Sequence, residues 1–244
     1  MTPPAAGRAP GTEPAGRVPG TETIRALQER AAGAQTAEHQ QDADGCWLRH
    51  AHGCAWWVGA ALPHGPAAPG ELPGRVGGAE EFSAAHGAPA RFQITPGVCP
   101  EGLDSPLAGR GYRRDGPASS RTAVTARVAG APSAGAVRVR VAERPTREWF
   151  DGRLAVRGHR ADPHREWDLP GRVEGPGVFG MGTLPAARGR GAAGGVRAAP
   201  AGRAGAVDAG RMCLQVERHN TAAVRPCARA GFGEVAACHY RVAD

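Results

Sequence analysis

The order of residue types between Val178 and Phe232 constrains this chain more than any other feature. An apolar run, Val178-Phe179-Gly180-Met181-Gly182-Thr183-Leu184, leads into a glycine-rich stretch, Ala187-Arg188-Gly189-Arg190-Gly191-Ala192-Ala193. A second apolar run, Met212-Cys213-Leu214-Gln215-Val216-Glu217, follows, and Asn220-Thr221-Ala222-Ala223 then opens a short helical segment that closes at Gly231-Phe232. Strand, glycine loop, strand and capped helix in that order build an anion cradle beside a strand edge. A diphosphate needs several backbone N–H donors converging at a helix N-terminus, where the macrodipole is positive. Gly189 and Gly191 permit close approach and left-handed backbone. Ala192 and Ala193 are too small to block a ligand, and Arg188 and Arg190 add charge. Asn220 is an N-cap residue by type.

The rest of the composition limits how such a site can be housed. A length of 244 residues suits one large domain or two small ones. With 37 Gly, 22 Pro and only 5 % aromatic residues, elements must be short and the core must be built from Ala, Val and Leu. There is no lysine, so all 30 basic residues are arginine, and the bias is that of a GC-rich genome. The net charge of +7 therefore says little about partners. The arginines are spread along the chain without a nucleic-acid-reading motif, so no nucleic acid is expected. No run of 18 apolar residues and no secretory h-region follow Met1, so a cytoplasmic protein with reduced thiols and no membrane partner is expected. Cys46, His50, His52 and Cys54 form C-x3-H-x-H-x-C, which is not a zinc framework, and no metal is expected.

Along the chain, residues 1–22 are Pro-, Gly- and Ala-rich and repeat a short unit, which predicts a disordered tail. A helix is expected from Thr21 or Thr23, with Ile24, Leu27 and Ala31 on one side. Cys46–Arg49 and Ala55–Val58 read as strands joined at His52-Gly53, and Ala79–His86 as a helix. Arg91–Ile94 reads as a strand, Leu103–Arg110 as a helix closed by Gly111, and Thr122–Val128 as a strand. Small residues at 130–135 mark a domain boundary. Ala136–Val141 alternates like a strand, Thr146–Phe150 suggests a capped helical turn, and 151–177 gives no clear element. The helix after the glycine loop is expected either to stop at Ala199, before Pro200, or to carry a helix penalty of about 7 kcal/mol from one proline and four glycines. Pro226 is expected inside the last helix only if that helix starts late.

Arg188-x-x-Gly191-x-Ala193, and Asn220-x-x-Ala223 followed by Gly231-Phe232, resemble the GCN5-related N-acetyltransferase (GNAT) superfamily. Asp44–Arg49, Phe92-Gln93, Leu103-Asp104 and Arg110-Gly111-Tyr112 resemble a group of bacterial two-lobed acetyltransferase-like proteins. Together the resemblance spans about 23–128 and 136–244. It implies an α/β protein with a mixed β-sheet flanked by helices, in two tandem GNAT-like lobes: a degenerate one at 23–130 and an acetyltransferase one at 136–244. It also implies transfer from acetyl-CoA to an amine by direct attack, the acceptor being a small molecule or peptide and the protein a monomer or homodimer. Arg188, Gly189, Arg190, Gly191, Ala192, Ala193 and Asn220 would then hold the pyrophosphate, and Met181, Gly182 and Thr183 the pantetheine arm. Where the family has Leu-Tyr, this chain has Pro226-Cys227, so Cys227 is the candidate acid. Glu217, Glu174 and His239 are candidate bases by position only. A catalytically impaired acyl-CoA-binding or regulatory protein is the alternative.

Overall fold

Two sheets carry the fold. Strands β1 (His39–Ala43), β2 (Cys46–His50) and β3 (Leu62–Pro63) form an antiparallel sheet in the order β1-β2-β3. Strands β4 (Arg91–Ile94), β5 (Arg113–Val124), β6 (Arg211–Glu217) and β7 (Gly233–Val242) form a second, in the order β4-β7-β5-β6. Among the described residues, a parallel bridge from Ala61 to Phe92 connects the two. The computed structural model describes residues 20–34, 37–52, 55–132, 138–142, 146–157, 181–207 and 209–244. The helices are α1 (Thr21–Ala34), α2 (Leu72–Ala85), α3 (Asp104–Gly109), α4 (Thr125–Ala129), α5 (Arg147–Arg157), α6 (Ala192–Ala206) and α7 (Thr221–Arg229).

The element order α2-β4-α3-β5 recurs as α6-β6-α7-β7. Starts lie 120 residues apart (72 and 192, 91 and 211, 113 and 233), as do the ends of the short helices (109 and 229). At this offset Pro106-Leu107-Ala108-Gly109-Arg110-Gly111-Tyr112 aligns with Pro226-Cys227-Ala228-Arg229-Ala230-Gly231-Phe232. Both copies end their helix the same way. Gly111 (φ 86°) and Gly231 (φ 96°) take left-handed backbone, and the next amide returns to the helix, Tyr112 N–H to Leu107 C=O and Phe232 N–H to Cys227 C=O, each at 3.0 Å. The strands are interleaved: β7 lies between β4 and β5, while β5 lies between β7 and β6. Two arginines in matching places fasten the exchange. Arg241 on β7 donates to the Tyr112 carbonyl (3.0 Å), and Arg121 on β5 donates to the Phe232 carbonyl (3.1 and 3.2 Å).

The two cores differ in what fills them. The first packs Leu48, Leu72, Val76, Phe92, Ile94, Leu103, Leu107 and Tyr112. The second is built mostly of small residues, Ala123, Ala201, Cys227 and Ala230, around Val128 and Phe232.

Several expected elements hold. Strand Arg91–Ile94 has the expected bounds, α1 begins at Thr21, and the Thr146 hydroxyl accepts from Trp149 N–H at 3.3 Å to cap α5. Others do not. Ala55–Val58 is not a strand, because Trp56–Gly59 winds into a 3-10 turn that sets Trp56 edge-on to Tyr240. The hairpin turns at Asp44-Gly45, both with positive φ, and not at His52-Gly53. Helix α2 begins seven residues before Ala79, at Leu72, with Pro73 in its first turn. Strand β5 starts at Arg113 and ends at Val124, after which Thr125–Ala129 is helical, so Thr122–Val128 is not one strand. Gly116 and Pro117 hid this strand, yet the ladder absorbs them as a register shift between Asp115 and Ala118. Residues 138–142 carry no strand, and 136–137 lie outside the described residues.

Helix α6 runs through Pro200 to Ala206, and α7 starts at Thr221 with Pro226 inside it. The carbonyls these prolines release belong to Val196, 42 % exposed, and Ala222, also exposed, so both lie where solvent can supply the missing donors. The tail at 1–19, the metal candidate Cys54, the apolar start Val178–Gly180 and most of 151–177 lie outside the described residues.

Candidate functional site

Two left-handed glycines shape the mouth of α6. Gly189 has φ 74° and Gly191, the N-cap, has φ 78°. Any L side chain would be strained in this backbone, which explains glycine at both places. The Gly191 carbonyl accepts from Gly194 and Gly195 N–H at 2.9 and 3.3 Å. Among the described residues, no backbone carbonyl accepts from the N–H groups of Gly189, Arg190, Gly191, Ala192 or Ala193. Arg188, Gly189 and Arg190 are exposed and Gly191 to Ala193 half-buried, so this row of donors faces an open side.

The corresponding mouth in the first half is acidic. There Glu71 stands at the N-cap of α2, 120 residues before Gly191. Its carboxylate accepts from Ala68 N–H at 3.1 Å and lies 3.4 Å from Arg75, which also donates to the Pro66 carbonyl at 3.0 Å. The chain's own anion thus stands beside the start of α2, bonded to the preceding loop and to no amide of the helix itself. In the second half, Gly191 and Gly195 replace Glu71 and Arg75, and among the described residues no acidic side chain stands at that N-cap. Sequence reading missed Glu71 and Arg75; the 120-residue offset was the signal that would have exposed them.

The approach to the loop departs from expectation. Met181, Gly182 and Thr183 are not in a strand among the described residues: 181–184 has no ladder partner, and Met181 and Leu184 are exposed. The segment is held from below. Arg188 Nε donates to the Thr183 carbonyl at 3.3 Å, and Gly182 abuts Val156 of α5 so closely that a Cβ would fall 2.6 Å from Val156 Cγ1. The structure therefore brings Thr183 and Arg188 together, with Gly182 required for the close approach of α5.

Asn220 is the N-cap of α7, its side-chain carbonyl accepting from Ala223 N–H at 3.1 Å. Cys227 lies on the inner side of the same helix, 4 % exposed, in the small-residue core. Burial pushes its thiol pKa up, with Arg197 and Arg121 acting in the opposite direction. It occupies the place that Leu107 fills in the first half, which is a packing position. The Arg197 guanidinium of α6, itself only 8 % exposed, acts on this thiol. Arg197 falls in step with Ala201 and Ala204 on the buried stripe of α6, so helical periodicity alone could have flagged it.

The base candidates are engaged elsewhere. Glu217 pairs with His219 at 3.1 Å on the surface. His239 is buried with Nε2 2.8 Å from Asp104, which Arg241 also grips at 2.8 and 3.1 Å. Glu174 lies outside the described residues. Among the described residues no group of three side chains could hold a metal ion, and His50 stacks on His86 (4.9 Å) instead. No described helix is long and apolar enough to cross a membrane.

Solved structures match this architecture over nearly its whole length. A GCN5-related N-acetyltransferase from Kribbella flavida superposes with a TM-score of 0.60 at 16 % identity, over 91 % of this chain and 95 % of that one. A conserved protein of unknown function from Staphylococcus epidermidis gives 0.61 at 9 % identity, over 84 % and 93 %. A tandem GNAT protein from the clavulanic acid biosynthesis pathway gives 0.53 at 13 % identity, over 91 % and 87 %. No protein-family model and no curated protein matches the sequence. The chain has the GNAT fold, an α/β architecture with helices flanking its sheets.

Proposed function

We propose that this protein is an N-acetyltransferase that takes acetyl-CoA at the mouth of α6 and passes the acetyl group to the amine of a small molecule or peptide. One observation carries the reading: in a GNAT fold with two matching helix mouths, the first bears the acidic side chain of Glu71, whereas at the second, among the described residues, the amides of 189–193 meet no backbone carbonyl, behind two left-handed glycines. Those amides suit a diphosphate, with Arg188 and Arg190 adding charge and the amide of Asn220 close to the α7 N-terminus. The backbone at Met181–Thr183 would align the pantetheine arm. A neutral amine then attacks the thioester carbonyl, backbone N–H groups stabilise the oxyanion, and the CoA thiolate leaves and takes a proton.

Cys227 is the family-position proton donor. Its raised pKa keeps it protonated at neutral pH, the state a donor needs. At 4 % exposure it can reach a leaving thiolate only if α7 shifts. That same burial, in the place of Leu107, favours a second reading in which the chain binds acyl-CoA without turnover.

Calorimetric titration with acetyl-CoA, followed by thiol release against a panel of amines, separates the two. Micromolar binding that is lost in Arg188→Ala/Gly191→Glu supports the cradle. Turnover abolished by Cys227→Ala, with binding intact, assigns the acid; binding without turnover on any amine supports the second reading. Absence of binding by the folded protein overturns both.

A further inference from the structure

Helix α1 lies across the second sheet, and between them is a cavity of about 50 Å³ that reaches strands of both halves. One water needs about 10–15 Å³ measured this way, so the space holds a few waters or one small polar group. A buried chain of hydrogen bonds runs along its wall. The Tyr240 hydroxyl donates to Gln93 Oε1 at 3.0 Å. Gln93 Nε2 donates to Thr95 Oγ1 (3.1 Å) and to Gln28 Oε1 (3.2 Å), and the Thr95 hydroxyl donates to Gln28 Oε1 (2.9 Å). Two donors converge on Gln28 Oε1, which fixes the way that amide faces. The chain therefore ends in Gln28 Nε2, a donor with no partner on a side chain only 8 % exposed. An orphaned buried donor of this kind costs about 1–3 kcal/mol.

The other walls share this polarity. Arg49, 5 % exposed, lines the same cavity and donates from Nη2 to the Ala32 carbonyl at 3.1 Å. Burial pulls its pKa down to about 10, which leaves it charged at neutral pH. Arg121 is also in the lining, whereas no Asp or Glu is found among the described lining residues. The cavity thus offers donors and positive charge, while the acceptors of its hydrogen-bonded chain are already occupied. A carboxylate would find donors there, and no carboxylate of the described lining would repel it.

We propose that this cavity binds the carboxylate of a small molecule, with Gln28 Nε2 as its donor and the charge of the Arg49 guanidinium beside it. The site is independent of the acyl-CoA reading, because it lies under α1 and uses none of the residues of the α6 mouth. The test is thermal denaturation of the full chain in sodium acetate or propionate, against sodium chloride of equal ionic strength and against acetamide, the neutral isostere. At saturation the carboxylates should raise the melting temperature by about 2–4 °C over both controls. Gln28→Leu should abolish that rise. Calorimetry with propionate reads the same site without heating and serves if Gln28→Leu folds poorly. An equal rise with chloride would reveal general anion screening. An equal rise with acetamide would show that the carboxylate charge plays no part, and no rise with any probe would show that the cavity holds only water. Each of these results overturns the proposal.

Discussion

Replacing Gly191 by Glu gives the second helix mouth the residue that stands at the N-cap of the first. Two terms set the cost to stability. A non-glycine residue forced into the left-handed backbone that Gly191 adopts (φ 78°) loses about 1–2 kcal/mol. A carboxylate at a helix N-terminus returns about 0.3–1 kcal/mol. The net loss is about 1 kcal/mol, or about 2–4 °C in melting temperature. Ligand binding should suffer far more. Glu71 shows that such a carboxylate takes up a loop amide (Ala68 N–H, 3.1 Å). If the new carboxylate claims two amides of the 189–193 row, acetyl-CoA forfeits two charge-assisted hydrogen bonds of about 1.5–3 kcal/mol each. The sum, about 3–6 kcal/mol, weakens binding about a hundred- to ten-thousand-fold. Gly191→Ala is the matched control: it carries the same backbone strain and no anion, and its Kd should stay within about threefold of the parent's. Both variants are titrated calorimetrically with acetyl-CoA. If the Glu variant binds as tightly as the Ala variant, the mouth of α6 is not where the diphosphate sits.

Two further outcomes follow from the fold. Hydrogen bonds from Arg241, and then from His239, hold the Asp104 carboxyl down to about 2, below its ordinary value of about 3.9. A lowered carboxylate pKa contributes stability that is full above the unfolded value and is lost as pH falls through the folded one, here between about pH 4 and pH 2. Because the Asp104 side chain is 41 % exposed, Asp104→Asn should cost only about 1 kcal/mol at pH 7, and its deficit in urea melts should vanish by pH 2; a deficit independent of pH refutes this. Pro226→Ala restores a donor to the Ala222 carbonyl and should stabilise the protein by about 1–3 kcal/mol in the same melts, whereas destabilisation would mean that the proline ring itself is packed.

Local chemistry was the legible part of this sequence. Asn220 and Thr146 cap helices as their residue types dictate, Gly111 ends α3, and Arg91–Ile94 is a strand because its apolar residues have no competing period. What local rules missed was decided by tertiary context. Pro200 reads as a stop, yet the carbonyl it frees lies where solvent can reach it. Gly116-Pro117 reads as a break, yet a bulge absorbs it. Trp56-Trp57 reads as strand, yet Tyr240, far along the chain, draws Trp56 into a 3-10 turn. At the site, the glycines and arginines of the loop were visible, while Arg197 and the acidic N-cap Glu71 were hidden. Their meaning appears only when residues 120 positions apart are laid side by side, and few identities survive to suggest doing so.

The interleaved strand order has a kinetic consequence. Strand β7 pairs Arg91 with Val242, so the ladder closes only after a loop of about 150 residues has been brought together. Until then β4 and β5 each present an unpaired edge to the solution. Neither β4 nor β5 is fully paired until β7 has docked between them. Folding should therefore be slow, limited by this long-range closure. The same exchange between two copies, Arg241 of one reaching Tyr112 of the other, would produce a domain-swapped dimer from chains that close late.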